Sequence, residues 1–135
     1  METNFNIGSL KIVSAPLMEY FKKIQANLNE NIQVINDKKI PSNFESIDVL
    51  KKVNGTLKML GLTGVNKVLF SISTALEQVK SARFDTNKSL AVLEASLQIT
   101  TSIVFYLENL LKGEQDQPTK LFDEYSKINN LLGNK

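Results

Sequence analysis

The sequence predicts an all-α protein, an up-down antiparallel helical bundle with a four-helix core and an additional C-terminal helix. Three observations lead there. Apolar residues recur at spacings of three and four along most of the chain, the period of a helix face. No segment shows the two-residue alternation or the Val/Ile/Tyr-rich runs of a strand, and the Asn-Gly pair at Asn54-Gly55 falls inside a helical stripe rather than between two strands. The breaks between the later stripes are short, which makes successive helices antiparallel neighbours.

In the first region Leu10, Val13, Leu17, Phe21, Ile24, Leu28 and Ile32 or Ile35 share one face. A long first helix follows, and Pro16 within it implies either a start near Ser14, with the proline in the first turn, or a kink. The stretch "NDKKIPSNFES", Asn36 to Ser46, gathers Asn, Pro and Ser into a loop. Beyond it Ile47, Leu50, Val53, Leu57 and Leu60 mark a second helix over 46–60. The following "GLTG" has glycines to end that helix and a threonine to cap the next. Val65, Val68, Leu69, Ile72, Leu76 and Val79 give a third helix over 63–82. Asp85 or Thr86 is the expected N-cap of a fourth helix over 87–112, carried by Leu90, Leu93, Leu97, Val104, Leu107 and Leu111 and closed by Gly113. Leu121, Tyr125, Ile128 and Leu132 form a short last helix behind Pro118, a residue well suited to a helix start.

A length of 135 residues at 42% apolar composition suits one domain over 1–135 with a single core. There is no cysteine and no histidine, which excludes disulfides, thiolate nucleophiles, Cys/His metal sites and imidazole acid-base catalysis. The 16 basic and 14 acidic residues are dispersed, and Arg83 is the one arginine, so nucleic acid is not an expected partner. The opening "METNFNIGSL" lacks the charged and apolar regions of a secretory signal. Lys, Glu, Gln or Asn interrupts each apolar stretch before the roughly 20 residues needed to cross a bilayer. The expectation is a soluble, cytoplasmic chain without membrane insertion.

Gly55 needs an explanation, because glycine inside a helix is about 1 kcal/mol less favourable than alanine. Lys51, Gly55 and Lys58 lie one above another on the second helix, away from the stripe of Leu50, Val53, Leu57 and Leu60. Either the glycine lets another helix or loop come close, or it opens a shallow docking surface between two lysines.

The stretch "LKKVNGTLKMLGLTGVNKVLFSISTALEQV" is similar to the phosphotransfer (HPt) helix and its successor in CheA-type kinases, where a pattern like H-x-L-K-G precedes a leucine-glycine turn. In that register Lys51 falls on the phosphorylated histidine, Val53 on the leucine, Asn54 on the lysine and Gly55 on the glycine. Near the C-terminus, "FYLENLLKGEQDQPTKLFDEYSKINNLLG" resembles the segment that closes the first domain of ChpA/PilL-type hybrid histidine kinases, which control type IV pili and twitching motility. The opening "IGSLKIVSAPLMEYFKKIQANL" is compatible with the first helix of that domain.

The resemblance implies an HPt-like fold without its phosphoryl acceptor. A lysine ammonium has no lone pair to offer phosphorus, and no histidine elsewhere can substitute. It implies further a non-phosphorylatable interaction domain of a two-component, chemotaxis-like signalling kinase, a fragment of a larger hybrid protein. Such a domain catalyses nothing itself and needs no cofactor or metal. It works by protein-protein docking or dimerisation, with Lys51, Asn54, Gly55 and Lys58 as candidate partner-binding residues. Its partners would be other domains of the parent kinase, receiver domains, a polar scaffold protein or a second copy in a homodimer.

The alternative is a stand-alone small helical adaptor or inhibitor that offers the same face to a kinase or receiver domain. A native reading frame that stops near Lys135 would exclude the hybrid kinase. The acidic groups Glu108, Glu114, Asp116, Asp123 and Glu124 read as helix-surface and loop charges, without the Asp/Asn/Gly loop of a metal site. The pairs in "FKK", "DKK" and "LKK" read as solvated faces rather than lipid contacts. The aromatics Phe5, Tyr20, Phe21, Phe44, Phe70, Phe84, Phe105, Tyr106, Phe122 and Tyr125 fall mostly on or beside the apolar stripes, so packing is their expected role.

Overall fold

The computed structural model describes residues 7–133. Five α-helices form there: α1 (Ile7–Asn36), α2 (Glu45–Met59), α3 (Thr63–Lys80), α4 (Thr86–Leu111) and α5 (Phe122–Leu132). A short 3-10 turn at Pro118–Leu121 leads into α5. The chain is an all-α bundle, with the elements close to where the apolar stripes place them.

The first helix differs from expectation at one end. It is already helical at Ile7, so Pro16 lies inside α1 and a start near Ser14 is ruled out. Proline removes the N–H that would bond the carbonyl of Ile12. Ile12 is 81% exposed and Pro16 is exposed too, so the missing bond lies on the outer side of α1.

α1 packs on α2 and α4, α2 on α3, and α3 on α4, which closes a ring of four helices; α5 lies across α3 and α4. The core is fully buried leucine, isoleucine and phenylalanine, including Phe21, Ile24 and Leu28 of α1, Leu50 and Leu57 of α2, Leu69, Ile72 and Leu76 of α3, and Leu93 of α4. Ile128 is the buried contribution of α5. One correction concerns α4, which by length and composition is apolar enough to cross a membrane; half of that stretch is buried inside the bundle, as in the core helix of a helical domain.

The aromatic expectation holds for Phe21, Phe44 and Tyr106, which are buried, and fails for Phe70, Phe105 and Phe122, which are 65%, 62% and 66% exposed. Each residue step on a helix turns about 100°, so a neighbour of a stripe residue such as Leu69 can point outward. Phe5 lies outside the described residues.

Helix ends follow one design. At the end of α2 the Gly61 N–H bonds the Lys58 carbonyl and the Leu62 N–H bonds the Leu57 carbonyl. This is a Schellman closure, with Gly61 left-handed at φ 82° and Leu62 buried, like Leu57. The same pair of bonds ends α1, α3 and α4, but the left-handed residue there is Lys38, Ala82 and Gly113 respectively. The start of α3 departs from expectation. Thr63 is its first residue rather than its cap, and Leu62, committed to closing α2, takes the N-cap place without a side-chain bond. Asp85 caps α4 as expected, accepting from the Lys88 N–H at 2.7 Å.

Two polar residues in the core stripe of α1 hold the first corner. Asn27 and Asn31 are buried, and both donate to the Asn43 carbonyl, at 3.0 and 2.9 Å. The Asn27 side-chain oxygen accepts from the Ser46 N–H at 2.9 Å, while the Asn43 side chain accepts from the Glu45 N–H. Phe44 at the N-cap of α2 has no side chain that can do this, so α2 is capped from α1.

Candidate functional site

The face of α2 that carries Gly55 is formed by helix periodicity and kept bare by the position of the core. Leu50, Val53, Leu57 and Leu60 are buried, and they turn Lys51, Gly55 and Lys58 outward, all three exposed. A Cβ placed on Gly55 would meet no atom within 4 Å. The close-approach account of this glycine is therefore excluded within the described chain. On the helix surface Gly55 is ringed by Lys51 and Lys52 one turn before it and by Lys58 and Met59 one turn after, and Met59 is 89% exposed.

Of the four residues singled out from the sequence, three share this open face and one does not. Asn54 is half-buried, and both its carbonyl and its side-chain oxygen accept from the Asn66 side chain, at 2.9 and 2.8 Å. It fastens α2 to α3. Lys51 reaches across to Glu77 of α3 at 3.8 Å, an exposed pair of small energetic weight. Asn66 and Glu77 thus both face α2, and Phe70, one turn after Asn66, lies between them along α3 with 65% of its surface exposed. Sequence reading placed Phe70 in packing; its spacing from Asn66 and Glu77 was the signal that it borders the α2 face.

The expected acidic surface charges near the C-terminus are partly engaged. Tyr106 donates a hydrogen bond from its hydroxyl to Asp116, and Glu114 pairs with Lys120 at 3.5 Å. Burial first, and then the hydrogen bond and charge of Asp116, hold the Tyr106 hydroxyl far above its ordinary pKa, against a smaller lowering by the Gln117 backbone. Two open grooves flank α5, about 360 Å³ on the side of Thr63, Gly64 and Lys67 and about 590 Å³ on the side of Ser102, Phe105 and Tyr106. In the second, Tyr106 and Lys120 are the residues already bonded to Asp116 and Glu114. Among the described residues no group of three carboxylates, imidazoles or thiols is placed to hold a metal ion. Comparison with models of protein families, with curated protein sequences and with solved structures finds no match to this chain.

Proposed function

We propose that this chain is a phosphotransfer-like interaction domain that does not accept phosphate, from a chemosensory histidine kinase of the type that regulates type IV pili and twitching motility. It acts in the cytoplasm by docking, and the docking face is the outer side of α2. The observation that supports this reading is Gly55, set in open space between exposed Lys51 and Lys58 on a helix whose other side is core. The sequence resemblance lays the phosphorylated position on Lys51, so the helix keeps a shape suited to a partner and lacks the atom that would react. Receiver domains or other domains of the parent kinase are the partners this implies. Asn54, tied to Asn66, contributes by holding α2 rather than by contact.

Two measurements test the proposal. Incubated with an active CheA-type kinase core and ATP, the chain should take up no acid-labile phosphoryl group, and stoichiometric labelling would overturn the reading. Gly55→Gln, which adds bulk where no neighbour stands, should not lower the melting midpoint and should weaken binding of a receiver domain from the parent kinase. Unchanged binding of that domain by Gly55→Gln and by Lys58→Glu would remove the face from the mechanism.

A further inference from the structure

The end of the bundle where α1 and α3 finish and α4 begins gathers cations that are far apart in sequence. Lys38 and Lys39 follow α1, Lys80 ends α3, Arg83 lies in the next connection, and Lys88 is in the first turn of α4. None of the five is in an ion pair among the described residues, whereas Lys22, Lys51 and Lys120 are. In the two connections themselves the acids are Asp37 and Asp85, and Glu45 and Asp48 stand in the first turn of α2. Asp37 accepts from Gln33, and Asp85 is occupied in capping α4. Between these cations is a crevice of about 210 Å³, walled by Ile35, Ile40, Pro41, Val79 and Phe84, with Lys39 and Lys80 also lining it. Ile40 is 90% exposed, and the Lys88 ammonium stands 4.5 Å from the centre of the Phe84 ring.

The backbone at this corner is held in an unfavourable form. Lys38 and Ala82, the two non-glycine residues with left-handed φ among those described, close α1 and α3 on either side of the crevice, at φ 62° and 58°. Side chains with a Cβ rarely adopt this conformation, which favours glycine. Their turns hold Lys39 at the crevice wall and set Arg83 between the lining residues Ala82 and Phe84 in the chain.

We infer that this corner binds an acidic peptide segment of a partner protein, with one apolar side chain seated in the crevice and flanking carboxylates against Lys39, Lys80 and Arg83. The size decides the class of ligand, because about 210 Å³ falls below the roughly 300 Å³ at which drug-sized ligand pockets begin and fits a single large side chain. The shape separates a peptide from an anionic membrane. Ile35 and Val79 at the base of the crevice are buried and Pro41 and Phe84 half-buried, so the crevice receives a protruding group, and Glu45 and Asp48 at the start of α2 would oppose a wide anionic surface at this end. The surface is distinct from the Gly55 face, so the two bindings can fail separately.

The test is a titration of the isotopically labelled chain with a pooled library of short peptides, Asp or Glu at the outer positions and Leu, Phe, Met or Trp at the centre, followed by amide spectra. Saturable shifts are expected at Ile40, Val79, Ala82 and Phe84, absent for the same pool with Ala at the centre. The double variant Lys39→Glu, Arg83→Glu should weaken binding by about tenfold or more, as should salt raised to about 0.5 M. Lys11→Glu, Lys22→Glu on the far part of α1 should not. No saturable shift at the crevice, equal binding of the Ala-centred pool, or equal loss with the α1 variant would overturn the inference. So would binding to vesicles containing phosphatidylserine, in place of peptide, that the Lys39→Glu, Arg83→Glu variant loses.

Discussion

A methyl group added at Gly55 and one added at Gly64 should move stability in opposite directions, although both residues are helical. At Gly55 the new Cβ meets nothing within 4 Å, so alanine keeps only its better helix preference and its narrower unfolded ensemble, a gain of about 0.4 to 1 kcal/mol. At Gly64 the new Cβ would stand 2.5 Å from Cβ, 3.1 Å from Cγ and 3.3 Å from Cα of Pro118. Carbon atoms rest about 3.5 to 4.0 Å apart, so the first overlap is about 1 Å, against a ring that cannot rotate away. Overpacking of that kind costs about 1 to 3 kcal/mol, and alanine's helix preference returns less than about 1 of it, leaving a net loss of about 1 to 2. For a domain of this size one kcal/mol moves the midpoint by about 3 to 5 °C. Thermal melts by circular dichroism should therefore show Gly55→Ala higher by about 1 to 5 °C and Gly64→Ala lower by about 3 to 10 °C. Replacing Pro118 with glycine removes the nearest atom, so the loss at Gly64 should shrink by about half or more in that background. A lowered midpoint for Gly55→Ala would mean that something does pack on the glycine. A Gly64→Ala variant as stable as the parent would mean that the Pro118 turn is not held against α3.

Three further outcomes follow from the same structure. Leu57→Ala should cost about 2 to 5 kcal/mol in urea unfolding, because Leu57 is fully buried, while exposed Lys58→Ala should cost under about 0.5; equal losses would mean the faces of α2 are reversed. Ala82→Gly, at φ 58°, should stabilise by about 1 kcal/mol despite glycine's looser unfolded chain, and a loss would contradict the left-handed closure of α3. The raised Tyr106 pKa means that the unfolded chain releases this proton near pH 10 while the folded chain keeps it, so stability falls as pH rises above about 10. Tyr106→Phe should remove that part of the alkaline slope, and parallel stability curves for the two proteins between about pH 9 and 11 would refute it.

The helices were legible because a single signal, apolar spacing, runs through each of them, and because Asp85 and Gly113 carry their capping chemistry in their own side chain or in its absence. Where a structural role depends on a distant residue, that signal is silent. Asn31 occupies the core stripe of α1 between Leu28 and Ile35, and only the return of the loop to bring Asn43 over it shows why a polar group is tolerated there. Gly64 looked like part of a turn, yet its need for a small side chain is set by Pro118 of the last connection. The corner of cations has the same origin, since Lys39 after α1 and Lys80 at the end of α3 line one crevice although they are far apart in sequence.

The candidate face on α2 was legible for the opposite reason, because everything that shapes it is local. The period of the helix separates Leu50, Val53 and Leu57 from Lys51, Gly55 and Lys58, and the structure keeps that separation without a contribution from another segment. Asn54 was grouped with them by its place in the resemblance rather than by its direction on the helix, and direction decided its role. The remaining glycine gives up about 1 kcal/mol of helix stability, and no contact inside the described chain offsets it. Gly64 is offset by a packed turn and Gly61 by a helix closure, each of which alanine would disturb. Gly55 has neither, so any interaction that makes use of its missing side chain must come from outside the described residues, which is why its effect on binding, and not on melting, bears on what the domain does.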